Sequence, residues 1–279
     1  MASILWLASY PKSGNTWIRA FLVNLLTDFD EPVDINKMSA LTAGDSQAHW
    51  YARLDPRPPT ALGNAELARL RPRVHRLIAE SKNETVLVKT HNALVAVAGV
   101  SMITLEVTAG AIYVVRNPLD VALSYAHHLG ATLDDIIELM GRTGFETAAS
   151  AMHVPEHQSD WSSHVKSWTQ VANPGLHVVR YEDLKADPAR RFGAVARFLG
   201  VATDNPARIE KAIRFSSFET LRKLEDKTGF VERTPVQDRF FRKGAVGEWR
   251  DKLSPAQVKR VVERHREQML RFGYVPEGG

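Results

Sequence analysis

The chain has 279 residues, 44% hydrophobic and 24% charged, which is ordinary globular usage and excludes a disordered tail or a collagen-like repeat. At 31.2 kDa it can bury a full core, and no apolar run approaches the roughly 18–20 residues of a membrane-spanning helix. With no cysteine, it can have neither disulfides nor thiolate nucleophiles or metal ligands. Lys and Arg exceed Asp and Glu by 36 to 32, and the surplus is concentrated: residues 239–271 hold ten Lys/Arg against four Asp/Glu. Such a segment meets nucleic acid, an anionic membrane or a small multiply charged anion, or else it is a solvated helix face.

Short β-branched runs alternate with helical patterns, the mark of a parallel α/β sheet. No basic region precedes the first apolar run, so residues 3–9 read as a strand rather than a secretion signal, and a soluble cytoplasmic protein is expected. That strand enters Tyr10-Pro11-Lys12-Ser13-Gly14-Asn15-Thr16-Trp17, followed by an amphipathic helix with Trp17, Ile18, Phe21, Leu22, Leu25 and Leu26 as its apolar residues. A strand, a tight turn at Gly14 and a helix N-terminus together bind anions, through free backbone N–H groups and the helix dipole. Lys12 adds a full charge, and Ser13, Asn15 and Thr16 add short donors. This is not a Walker A loop, because Lys12 precedes the glycine.

The second expected strand, Thr85–Lys89, runs into Lys89-Thr90-His91, at the strand end where sites gather in open α/β sheets. The third, Ala111–Val115, is followed by Arg116, by Asn117-Pro118 as helix N-cap and first residue, and by Ser124 two turns along. An Arg fork suits phosphate oxygens and a Ser supplies a neutral donor. Leu176–Arg180 is the fourth strand, and Tyr181-Glu182-Asp183 follows it. Asp187-Pro188 and Asn205-Pro206 start further helices, and the capping box Ser254-Pro255-Ala256-Gln257 opens the last, to about Arg271. Residues 30–85 and 131–175 read as less regular insertions. The expected architecture is one three-layer α/β domain over residues 1–279, a central, mostly parallel sheet flanked by helices.

Three segments, in order, resemble the cytosolic-type sulfotransferases, which have a P-loop-like nucleotide-binding fold. These enzymes move a sulfuryl group from 3′-phosphoadenosine 5′-phosphosulfate (PAPS) to an acceptor and release PAP. Residues 10–17 resemble the family's 5′-phosphosulfate loop, with Asn15 where Thr is usual. Residues 112–125 resemble its 3′-phosphate motif, a buried strand, Arg-Asn, and a Ser eight residues after the Arg. Residues 241–250 resemble its C-terminal R-K-G-x-x-G-[D/E]-W segment.

The resemblance implies that Lys12 contacts the 5′-phosphosulfate within the loop Ser13, Gly14, Asn15 and Thr16, and stabilises the bridging oxygen. Trp17 would lie against the adenine, Arg116 and Ser124 on the 3′-phosphate, and Arg242, Lys243 and Gly244 over it. Ser124 would also hold the catalytic Lys until the acceptor arrives. Lys89-Thr90-His91 resembles the family's K-T-H, which makes His91 the general base and Lys89 its assistant. Tyr181 would reach the base. Ser216-Ser217-Phe218 resembles T-S-F, with Ser216 in the Thr position and Phe218 a second adenine contact. The acceptor is expected to be a small hydroxylated molecule, less often an amine, with His49, Trp50, Tyr51, Phe145 and Trp161 as candidate aromatic lining. The family's dimer motif would fall near Arg250, Ser254-Pro255 and Lys259, where the key letters differ, so that dimer is not expected.

Other readings fail on particular residues. Ser9 and Lys12 fit S-x-x-K, but Pro11 lies between them and no Ser-Asp-Asn occurs. His153 and His157 have metal-ligand spacing on a helix, which Pro155 opposes, and no metal is expected. A nucleic-acid module would interleave basic and stacking aromatic residues along a groove. Here the basic residues coincide with nucleotide motifs, so neither nucleic acid nor membrane is expected as a partner. A nucleotide-dependent kinase should carry carboxylates for Mg²⁺ near the phosphates, and no such pattern appears.

Overall fold

Strand β1, Ile4–Ser9, is buried along its whole length. The computed structural model describes residues 2–276. In it β1 is the centre of a five-stranded sheet with β2 (Thr42–Gly44), β3 (Val86–Thr90), β6 (Thr108–Val115) and β7 (Leu176–Arg180). The order is β2-β3-β1-β6-β7 and every pairing is parallel. A two-residue hairpin, β4 (Ala96–Val97) and β5 (Val100–Ser101), stands apart.

Alternation along β1 sorts its side chains onto two faces. Ile4, Trp6 and Ala8 pack into one core with Val88, Tyr113, Val74 and Ile78, and with Trp161 and Val165. Leu5 and Leu7 face the other, against Ile18, Phe21, Leu22, Leu25 and Phe192. Both faces are covered by helices, which is why the strands read as continuous apolar runs. Leu26, expected with the apolar residues of the first helix, is 43% exposed at its last turn. Among the described residues no helix is long and apolar enough to cross a membrane.

All four expected strands are present. β3 is shifted to end at Thr90, and β6 begins at Thr108 because Ile4 and Leu5 pair with Thr108 and Gly110 across an irregularity. The side chains of Asn117, Asp187, Asn205 and Ser254 each accept a backbone N–H at a helix start, and the last helix is Pro255–Arg271. The insertions are more regular than expected. Residues 30–85 supply edge strand β2 and a 16-residue helix, Asn64–Ala79, that contains Pro72. Residues 131–175 supply helices Leu133–Met140 and Trp161–Thr169, capped by Thr132 and Asp160. Residues 153–157 are non-helical, as Pro155 requires.

Register places the site. Ala8 pairs with Thr90 and Tyr113, and Val115 with Arg180. The loops that follow β1, β3, β6 and β7 therefore leave one edge of the sheet together, the edge where open parallel sheets bind ligands.

Candidate active site

The loop after β1 is wound tightly. Ser13 N–H donates to the Tyr10 carbonyl at 3.3 Å, and Lys12 adopts φ +63°. Gly14 follows at φ +110°, and a Cβ there would lie 2.7 Å from the Tyr181 ring. Only glycine fits that approach. Helix Asn15–Thr27 starts here with no side-chain cap, so its positive end faces the loop. The loop borders a cleft of about 770 Å³, which Lys12, Thr16, Trp17, Arg116, Ser124 and Tyr181 line from the sheet side. Phe218, Arg242, Lys243 and Gly244 close it from the other side. Residues far apart in sequence, such as Lys12 and Arg242, thus border one cleft.

Arg116 ties the wall together. Its guanidinium lies 4.3 Å over the Tyr181 ring, with Nη1 donating to the Lys12 carbonyl at 3.1 Å and Nη2 to the Ala245 carbonyl at 3.0 Å. The segment over the cleft is clamped at both ends by carboxylates. Glu225 accepts the Phe240 and Phe241 N–H groups at 2.7 and 2.9 Å, and Asp120 those of Gly247 and Trp249 at 2.7 and 3.2 Å. Gly244, at φ +58°, lets the backbone pass Phe218, whose ring a Cβ would meet at 2.4 Å. Arg242 and Lys243 share Glu248 at 2.7 and 3.0 Å.

Two buried polar atoms of cleft-lining residues lack protein partners: Trp17 Nε1 and Arg116 Nε. Buried polar groups are normally hydrogen-bonded, so these mark where polar ligand atoms belong. Lys12 Nζ lies 4.2 Å from the Phe240 ring centroid. Burial, reinforced by Lys89 and opposed by Glu232, holds its pKa down at about 7.

His91 stands at the end of β3. Its Nδ1–H donates to the Ser9 carbonyl at 2.8 Å, which leaves the Nε2 lone pair free to accept a proton. Its own carbonyl accepts from His164 Nε2 at 3.2 Å, while the Tyr113 hydroxyl lies 2.8 Å from His164 Nδ1. Burial and then Lys89 push the His91 pKa down to about 3, so the ring is neutral. Lys89 Nζ is 3.9 Å from Glu232, whose other oxygen accepts from Arg19 at 2.6 Å. Burial alone would raise Glu232, but Lys89 and Arg19 outweigh it and hold the carboxyl at about 2.

Several expected side chains lie elsewhere. Asn15 donates back to the Leu7 carbonyl at 2.8 Å and to Ser9 Oγ at 3.3 Å, bracing the loop from behind. Ser13 is fully buried beneath the loop. Ser216 closes helix Pro206–Phe215, its hydroxyl donating to the Ala212 carbonyl at 2.8 Å, and it does not line the cleft. Tyr51 and Trp161 are core residues, correcting their assignment to an acceptor lining. Lys185 and Phe240 also line the cleft and carry no motif, and Phe241 and Glu248 of the third motif, given no role from the sequence, line it too. Lys185 was detectable, since on helix Tyr181–Ala186 it stands four residues from Tyr181 and shares its face.

Comparison with known proteins covers nearly the whole chain. Residues 3–273 match the family model described as "Sulfotransferase domain". Sulfotransferase 1C2 of Oryctolagus cuniculus is 27% identical over 95% of this chain and 82% of its own. Cytosolic sulfotransferase 10 of Arabidopsis thaliana is 26% identical over 91% of this chain and 74% of its own. The fold is similar to mouse sulfotransferase SULT7A1 complexed with PAP, with TM-score 0.63 and 22% identity over 96% of this chain and 84% of that one. Retinol dehydratase in a complex with retinol and PAP gives TM-score 0.66 and 21% identity over 96% and 81%. A family match that begins before the anion loop and ends beyond the segment covering the cleft takes in every motif described above, and the chain belongs to the sulfotransferase family.

Proposed function

We propose that this enzyme transfers the sulfuryl group of PAPS to a hydroxyl of a small polar molecule, with PAP as the second product. The observation that carries the reading is the convergence of three distant motifs on one cleft, together with the unpartnered Trp17 Nε1 and Arg116 Nε. Neighbours of this fold were solved with PAP, and one with retinol. The cationic and aromatic lining of this cleft suits a nucleotide bearing phosphates at both ends. Bound there, PAPS supplies a sulfuryl group joined to the nucleotide through a bridging oxygen.

The remaining work falls to side chains. His91 Nε2 takes the hydroxyl proton as the acceptor oxygen bonds to sulfur. Lys12, at the helix N-terminus, meets the charge that develops on the bridging oxygen as its bond to sulfur breaks. Lys89 assists from beside His91. Arg116 and Ser124 bind the 3′-phosphate, with Arg242 and Lys243 closing over it once they leave Glu248. Trp17, Tyr181 and Phe218 hold the adenine. The absence of cysteine accords with a cytoplasmic setting.

Arg116→Ala removes a fork that otherwise joins both loops to the ligand. Losing one charge-assisted hydrogen bond costs about 1.5–3 kcal/mol, so PAP affinity should fall roughly ten- to hundredfold, and Ser124→Ala should lose less. Calorimetric titration checks this. Wild-type affinity in both variants would show that the 3′-phosphate binds elsewhere.

A further inference from the structure

A second cavity, of about 540 Å³, opens beyond Lys89. Lys89 stands between it and the transfer centre, since this side chain lines the cavity and lies two residues before His91 at the end of β3. No Phe, Tyr, Trp or large aliphatic side chain lines it among the described residues. Its walls are Thr, Ser, Gln, His and charged groups around two glutamates and an aspartate. An apolar acceptor would bury those groups without partners, which is destabilising.

The three carboxylates differ in what they already meet. Asp45 is held by Arg71 at 3.1 Å, with Thr90 and Asn92 at 3.2 and 2.8 Å. Glu232 is held by Arg19 and Lys89. Glu156 has no cation within 4.0 Å among the described residues, and its only side-chain hydrogen-bond donor is Gln158, at 3.1 Å on Oε2. Its backbone is fixed, because Glu156 N–H donates to Thr147 Oγ1 at 2.9 Å and its carbonyl accepts Thr147 N–H at 3.0 Å. Gln158 thus holds one carboxylate oxygen at the cavity wall, and the other has no hydrogen-bond donor among the described residues. A half-buried carboxylate left without a cation is destabilising, and an incoming cation offsets that cost. Burial accordingly raises its pKa.

We propose that the acceptor bears a protonated amine in addition to the hydroxyl it presents, and that Glu156 binds this ammonium group. The inference rests on the sulfuryl-transfer reading above and adds the acceptor's chemical class to it. Arg19 and Lys89 are already engaged with Glu232, so Glu156 is the cavity carboxylate left to meet an incoming cation, and it favours one over a neutral ring of the same shape.

The test uses matched pairs of acceptors with PAPS as donor: tyramine against 4-ethylphenol, and glucosamine against glucose. PAP titration comes first. Failure of PAP to bind the wild-type protein overturns the donor-site reading itself. With PAP bound, calorimetry should show at least tenfold tighter binding of the amine member in at least one pair, and KM should follow. Glu156→Gln keeps the size and one hydrogen bond while removing the charge, and it should bring the two members within threefold of each other. Unchanged PAP affinity in that variant reports an intact fold. Equal or tighter binding of the neutral members, no binding of either amine to the PAP-loaded protein, or a preference that survives Glu156→Gln would each overturn the proposal while leaving sulfuryl transfer standing.

Discussion

Replacing His91 by alanine should lower turnover by ~10²–10⁴-fold while PAP affinity stays within about threefold of wild type. The base is removed from the transition state, but no phosphate is assigned to it. The geometry supports this split. Nδ1–H is committed to the Ser9 carbonyl at 2.8 Å, so the ring can act only through Nε2. The depressed pKa, about 3, adds a pH signature. A histidine held low is deprotonated throughout the neutral range, so its contribution should persist below the usual pKa of about 6.5 and fade only under much more acid conditions. Steady-state rates across pH with the wild type and the variant check both statements. Loss of PAP binding together with turnover would instead make His91 a structural residue that braces β1 against β3.

Lys12→Ala should differ in kind, costing turnover by ~10²–10³-fold and PAP affinity by roughly tenfold or more. Lys12 is positioned by its φ of +63° and by the turn that Gly14 permits, so its ammonium faces both the loop and the covering segment. Its pKa of about 7 has a definite sign. Burial and Lys89 favour the neutral amine in the free site, whereas a bound phosphate favours the ammonium. Above pH 7 binding must therefore take up a proton, and affinity should weaken by up to about tenfold per pH unit toward pH 9. Calorimetry in buffers of different ionisation enthalpy counts that proton. The count should drop to zero in Lys12→Ala, and an unchanged count would assign the uptake to another group.

The contrast between these residues and the rest of the site shows what short-range chemistry reveals. The anion loop, the Asn117, Asp187, Asn205 and Ser254 caps and the four strands are written in stretches of four to eight residues, where φ preferences and capping bonds act locally. β2 was not legible because it is a three-residue edge strand that exists only by pairing with β3. Helix Asn64–Ala79 was obscured by Pro72, whose cost is met by packing Leu67, Val74 and Ile78 on the core. The Arg19–Glu232 pair spans 213 positions, and no local pattern announces it. Asn15 and Ser216 sit at motif positions, yet each side chain found a nearer backbone carbonyl, which sequence cannot weigh against a ligand. Two of the expected acceptor-lining aromatics lie elsewhere for a related reason. Tyr51 and Trp161 carry enough apolar area that the core claims them, and the cavity beyond Lys89 is left polar.

The most direct test of the account is a transfer measurement with PAPS labelled in its sulfuryl group and a panel of hydroxylated acceptors that includes tyramine and glucosamine, run with and without EDTA. In the proposed mechanism Lys12, Lys89 and the helix N-terminus supply the charge that a divalent ion would supply in a kinase. Label should appear on an acceptor with one PAP released per transfer, at the same rate with and without chelator, and ATP should not serve as donor. Transfer that stops with EDTA and returns with Mg²⁺, or phosphate transfer from ATP, would contradict it.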